Sequence, residues 1–263
     1  MSAQPDEPLT EQSFLRTGRP PLPASPAALA ACIDHTLLKP DATPDDIERL
    51  CAQAVRFGFK AVCVNPWHLP LAVRCLRGQV MRSGPLPITV AGFPLGASQT
   101  LIKAREAGLA VEQGAAEVDM VLNVGALKAG DLAQVRQDVF EVVQACGSAP
   151  VKVILETCLL SDSEKELACC LAVDAGAAFV KTSTGFAFVK SGTGFGPGGA
   201  TEADVRLLRR VVDAVGGPGI GVKASGGIRT LDDALRMLAA GADRIGASAS
   251  VQMVSELLTR GGA

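Results

Sequence analysis

From Pro26 onward the chain alternates short apolar runs with longer amphipathic ones, and the alternation recurs eight times. Regular alternation of strand and helix builds a parallel sheet covered by helices, which restricts the chain to α/β architectures. Strands are predicted near 33–36, 60–64, 87–91, 117–122, 151–156, 178–183, 219–225 and 243–248. Helices are predicted near 44–57, 67–77, 99–113, 131–145, 162–175, 202–215, 231–239 and 250–259. The punctuation agrees: Thr43-Pro44 sets a cap ahead of an N1 proline, Thr201 and Thr230 precede acidic first turns, and Gly58, Gly114, Gly176 and Gly241 stand where helices end. Eight such units close naturally into a (β/α)8 TIM barrel, which takes about 250 residues; an open doubly wound sheet uses the same pattern. At 263 residues one barrel domain over 26–263 is expected. Residues 1–25, with five prolines and no apolar stretch of signal-peptide length, are expected to be a flexible N-terminal tail.

A formal net charge of −2 with 20% charged residues gives no basic field for nucleic acid or anionic lipid, and no apolar run approaches membrane-spanning length. A small metabolite is the expected partner. Eight cysteines without Cys-x-x-Cys spacing read as core residues of a cytoplasmic protein. Only His35 and His68 are present, without metal-ligand spacing, so neither a metal nor a cofactor is expected. Apolar outer helices leave room for a homo-oligomer that nothing in the pattern specifies.

Strand parity locates the chemistry. Along Val151-Lys-Val-Ile-Leu-Glu156, Val151, Val153 and Leu155 share one face and Lys152, Ile154 and Glu156 the other. If the apolar face packs under the helices, Lys152 and Glu156 point inward. The same reading points Glu117, Asp119 and Asn123 inward, together with Lys223 and Ser225, and sets Lys181 on the face of Phe179 and Ser183. Charge inside a barrel is costly unless paired, so its concentration on strands four to seven marks a site.

Lys181 ends a short strand and is followed by Thr-Ser-Thr-Gly185, a layout suited to an amine nucleophile beside an anion cradle. Lysine attacks a carbonyl only when neutral, and at its ordinary pKa roughly one molecule in a few thousand is neutral at pH 7. A second ammonium at Lys223 and a desolvated interior would lower that pKa, and Asp119 would move protons. Gly226-Gly227 and Gly246-Ala-Ser248 follow strands seven and eight, the usual place for a barrel phosphate site.

The segments Ile33-Asp-His-Thr-Leu-Leu-Lys-Pro40, Gly92-Phe-Pro-Leu-Gly-Ala-Ser98, Glu117-Val-Asp-Met-Val-Leu-Asn123, Phe179-Val-Lys-Thr-Ser-Thr-Gly185 and Val222-Lys-Ala-Ser-Gly-Gly-Ile-Arg229 resemble the bacterial deoxyribose-phosphate aldolases. The resemblance runs from about residue 26 to 258 and touches every strand. It implies a metal-free class I aldolase that reversibly cleaves 2-deoxy-D-ribose 5-phosphate to D-glyceraldehyde 3-phosphate and acetaldehyde. On this carry-over Lys181 forms the Schiff base, Lys223 depresses its pKa and Asp119 transfers protons. Gly185, Gly226, Gly227, Gly246 and Ser248 match phosphate-binding positions, while Thr36 and Thr184 match positions for sugar hydroxyls or ordered water. Cys63 matches a pocket cysteine, but core packing is the preferred reading.

The chain departs from that family in three places. Residues 188–196 repeat 179–187 at six of nine positions, so Lys190 competes with Lys181. Lys181 is preferred because its strand follows Gly176 by the short connection usual in such units. Ala249 stands where relatives commonly carry a second serine, which is expected to weaken phosphate binding slightly. No tyrosine is present, although some relatives use a C-terminal one. Gly194-Phe-Gly-Pro-Gly-Gly199 fits a dinucleotide fingerprint by letters alone, since it follows a loop and contains proline. Another lysine-imine sugar-phosphate aldolase, or a catalytically idle sugar-phosphate-binding barrel, remains open on the sequence.

Overall fold

The computed structural model describes residues 22–78, 84–186, 199–216 and 219–261. Eight strands, β1 (Ile33–Leu37), β2 (Ala61–Val64), β3 (Leu86–Ala91), β4 (Glu117–Val121), β5 (Val151–Ile154), β6 (Phe179–Lys181), β7 (Gly221–Ser225) and β8 (Arg244–Ala247), follow one another around a closed barrel. Every pairing is parallel, including the closing pair of β1 with β8. The open doubly wound alternative is thereby excluded.

The helices start and stop where local chemistry directs. In α2 (Pro44–Phe57) the Thr43 side chain accepts the Asp46 N–H while Asp46 accepts from the Thr43 backbone, and the helix ends at Gly58 with φ of 70°. Its buried residues, Ile47, Leu50, Cys51 and Ala54, recur at helical spacing, and each large one stabilises the fold by about 1.5–3 kcal/mol. The same box opens α9 (Leu231–Ala240) with Thr230 and Asp233, and Thr201 caps α8 (Glu202–Val215). The remaining predicted helices are α4 (Thr100–Glu112), α6 (Leu132–Cys146), α7 (Asp162–Asp174) and α10 (Ser250–Gly261). The helix predicted over 67–77 is shorter: a 3-10 turn at Pro66–His68 precedes α3 (Leu69–Cys75).

Two short helices were not anticipated. One is α1 (Pro26–Ala30), capped by Ser25; of the expected tail, residues 1–21 lie outside the described residues. The other, α5 (Val124–Lys128), corrects the reading of Asn123, whose side chain accepts the Ala126 N–H as a helix cap rather than facing the barrel axis.

Parity otherwise holds. Val118, Met120, Leu122, Val151, Val153, Leu155 and Val222 belong to the large core between sheet and helices. A smaller cluster of Leu38, Ala61, Cys63, Ile88 and Val90 fills the inside of the barrel on the β2–β3 side, with Phe93 and Phe186 packed on it. Their rings meet edge to face at 5.2 Å. The loop carrying Phe93 is pinned from behind by a buried ion pair of Lys103 with Asp138, as Lys103 Nζ also donates to the Gly96 carbonyl at 3.0 Å.

Candidate active site

All but Glu156 of the charged side chains that parity aims inward meet in one closed network. Lys181 Nζ donates to Asp119 Oδ2 at 2.9 Å, and Lys223 Nζ donates to the same oxygen at 2.7 Å. Asp119 Oδ1 accepts from Lys152 at 2.9 Å. Lys152 also pairs with Glu117 at 2.5 Å, Glu117 with Arg244 at 3.2 Å, Arg244 with Asp34, and Asp34 with Lys223 at 2.6 Å. The register explains the meeting, since Asp119 neighbours Lys152 across β4–β5 and Lys181 neighbours Lys223 across β6–β7. Below them the Phe179 ring lies 5.9 Å from Lys152 Nζ and 6.0 Å from the Arg244 guanidinium.

Four cations thus face three carboxylates. Lys152, Lys223 and Arg244 each hold two carboxylates, whereas Lys181 holds only one oxygen of Asp119, already shared. The ring is neutral when one amine gives up its proton, and Lys181 is the amine with least to lose. Burial, reinforced by the Lys223 ammonium and opposed by Asp119, lowers the Lys181 pKa. Lys223 is raised instead: burial acts against its charge, but Asp119 and Asp34 outweigh it. The expected repulsion by Lys223 is therefore present but second to desolvation. Burial would raise Asp119, yet Lys152, Lys181 and Lys223 hold it well below the ordinary carboxylate value.

Asp34 is lowered too, with burial overcome by Lys223 and Arg244. These two shifts fix the sign of the acid response. Below about pH 4 the carboxylates of the unfolded chain take up protons that folded Asp34 and Asp119 still refuse, so stability falls as pH drops through that window. The melting temperature should be nearly level from about pH 7 to 5 and fall steeply below about 4. An unchanged melting temperature between about pH 5 and 3 would contradict the ring.

Above the ring lies an open cavity of about 410 Å³ at the carboxyl ends of the strands. Lys181 is the ring cation that lines it. Thr36, near the end of β1, and Thr184 and Gly185, after β6, line it as well. On the far wall stand Gly226, Gly227, Gly246 and Ser248. All of the predicted binding positions therefore share one cavity, with Lys223 and Asp119 beneath its floor.

Backbone demands explain two of the glycines. Gly226 has φ of 87°, and a Cβ there would stand 3.0 Å from the Gly199 Cα and 3.3 Å from the Gly185 Cα. A Cβ at Gly246 would press to 3.0 Å on the Lys223 side chain. The ends of β6 and β7 are laced together, with Ser225 Oγ donating to the Ser183 carbonyl at 2.5 Å and Thr182 Oγ1 to the Ser225 carbonyl at 3.1 Å. Cys63, fully buried beneath the cavity, has its thiol pushed up to about 11 by burial; it is a packing residue in the resting protein.

Glu156 is buried as expected, but not as part of a strand. It has φ of 56°, the left-handed region that is costly for a side-chain-bearing residue. β5 therefore stops at Ile154, and the carboxylate turns to accept the Thr184 N–H at 3.0 Å. Sequence reasoning missed Asp34 and Arg244 as ring members, although the parity rule reaches both: each lies two residues before a cavity residue, Thr36 and Gly246. Lys190 and the repeat over 188–196 lie outside the described residues, apart from the upstream copy through Phe186. Among the described residues no group of three or more His, Cys, Asp or Glu side chains is arranged to hold a metal ion.

A closed parallel barrel with a buried amine of lowered pKa under a polar cavity at its carboxyl end belongs to the (β/α)8 enzymes that work on carbonyl compounds. The model of the DeoC/LacD family aldolases matches residues 28–252, and the chain belongs to that family. It is 52% identical over 239 residues to a deoxyribose-phosphate aldolase of Carboxydothermus hydrogenoformans, covering 89% of this chain and 97% of the relative. A deoxyribose-phosphate aldolase of Rhodospirillum rubrum is 55% identical over 230 residues, 88% of this chain and 90% of that one. Among solved structures, the tetrameric deoxyribose phosphate aldolase of Aeropyrum pernix superposes with a TM-score of 0.77 at 34% identity, covering 91% of this chain and 94% of that one.

Proposed function

We propose that the chain is a class I aldolase that reversibly cleaves 2-deoxy-D-ribose 5-phosphate to D-glyceraldehyde 3-phosphate and acetaldehyde through a Schiff base on Lys181. The observation that carries this reading is that the one amine of the ring open to the cavity has its pKa lowered by burial. The neutral amine adds to the aldehyde carbon, and loss of water from the carbinolamine leaves a protonated imine. As the sugar's 3-hydroxyl gives up its proton, the bond between carbons 2 and 3 breaks. Its electron pair passes into the imine, forming an enamine and releasing the phosphorylated aldehyde. Protonation of the enamine and hydrolysis then return acetaldehyde and the amine.

Asp119 and Lys223, both within hydrogen-bond reach of the Lys181 environment, serve the proton transfers. Asp119, an acceptor in the resting state, takes protons, and Lys223 keeps the amine short of them. Gly185, Gly226, Gly227, Gly246 and Ser248 would seat the phosphate through backbone N–H groups and a hydroxyl, and Thr36 and Thr184 would hold sugar hydroxyls. Among the described residues no helix is long and apolar enough to cross a membrane. All eight cysteines are unpaired, which supports a reducing, cytoplasmic setting. A homo-oligomer is part of the same proposal.

Acetaldehyde with borohydride should reduce the imine and leave a mass gain on the peptide bearing Lys181. A gain on Lys190 reassigns the nucleophile, and no gain favours an idle barrel. Cleavage of the phosphorylated sugar should be the same with and without a chelator.

A further inference from the structure

The cradle proposed for the phosphate contributes N–H and O–H groups but no formal charge, and the Lys223 ammonium beneath it is engaged by Asp34 and Asp119. A dianion held by neutral donors alone forgoes the charge-assisted contacts that are about twice as strong. Arg229, which lines the same cavity, supplies one cation at its rim, and Lys39 supplies a second. It stands on the segment that leaves β1 over the cavity, and that segment is fixed. Leu38 is buried and its carbonyl accepts from Asn65 Nδ2 at 3.2 Å. The Lys39 carbonyl accepts the Ala42 N–H at 3.3 Å, and Pro40 restricts the backbone of the residue before it. The side chain itself is exposed, and among the described residues no acidic group pairs with it.

Lys39 lines the 410 Å³ cavity and also an adjoining one of about 310 Å³ under α2, the two sharing Thr36, Leu37 and Ser248 as well. Strand order fixes its side of approach. β8, which leads to Ser248, lies between β7 and β1. Arg229, following β7, therefore flanks the cradle on one side, and Lys39, following β1, flanks it on the other. We infer that Lys39 is a specificity-determining residue, its ammonium completing the phosphate site from the β1 side. The inference rests on the proposed function for the presence of a phosphate, and goes beyond it in naming a cation outside the glycine and serine cradle.

The test compares kcat/KM for 2-deoxyribose 5-phosphate with that for unphosphorylated 2-deoxyribose. In Lys39→Met, which keeps the aliphatic stem, the ratio of the two should fall by about five- to ten-fold, chiefly through KM for the phosphorylated sugar. Lys39→Glu should lower it further, Lys39→Arg should restore most of it, and raising the salt concentration should shrink the difference between wild type and Lys39→Met. An unchanged ratio in both Lys39→Met and Lys39→Glu overturns the inference. A wild-type protein with no preference for the phosphorylated sugar overturns the proposed function instead, which keeps the two failures apart.

Discussion

Lys181→Met should remove activity and raise the melting temperature together. Loss of a covalent nucleophile costs on the order of a million-fold in turnover. The same change takes a desolvated amine out of a site where cations outnumber carboxylates, and leaves Asp119 with Lys152 and Lys223. The methionine occupies similar volume, so a gain of about 1 kcal/mol, or roughly 2–4 °C for a chain of this size, is expected. Thermal melting of the purified variant beside a cleavage assay reads both. Retained turnover would move the chemistry to another amine, and a melting temperature several degrees below wild type would show that Lys181 is needed to balance the ring.

Asp119→Asn is the opposite case, since Asp119 joins three ammonium groups. The amide keeps the shape but not the charge, leaving four cations with two carboxylates. Removing one partner of a buried charge pair costs about 3–5 kcal/mol, and loss of a proton-transfer group costs about 10²–10⁴ in rate. Stability and activity should therefore both fall. The double variant with Lys181→Met should recover part of the lost stability, because the amine with the weakest hold is then gone. Strictly additive effects of the two changes would show that the residues are not coupled.

Most of this arrangement is legible in the sequence because period-two alternation is a strong signal on buried strands. Lys152, Glu117, Asp119 and Lys223 were all assigned inward from parity alone, and the glycine doublets fell at the right strand ends. What alternation does not carry is the point at which a strand stops. Asn123 and Glu156 sit in phase with inward residues, yet each lies just past a strand end, where the chain turns. One became a helix cap and the other a left-handed residue gripping the next loop. The Lys103–Asp138 pair was equally hidden. It lies between two helices 35 residues apart in sequence, and no local pattern announces a buried partner at that distance.

The pair of Arg244 with Asp34 spans 210 residues and ties the last strand to the first. The ring that holds Lys181 is thus incomplete until the final strand docks, however well the first seven have formed. Catalytic competence becomes a reporter of topological closure. During refolding it should appear only after helical content has recovered, and a chain cut between β7 and β8 should regain it only when the two pieces reassociate.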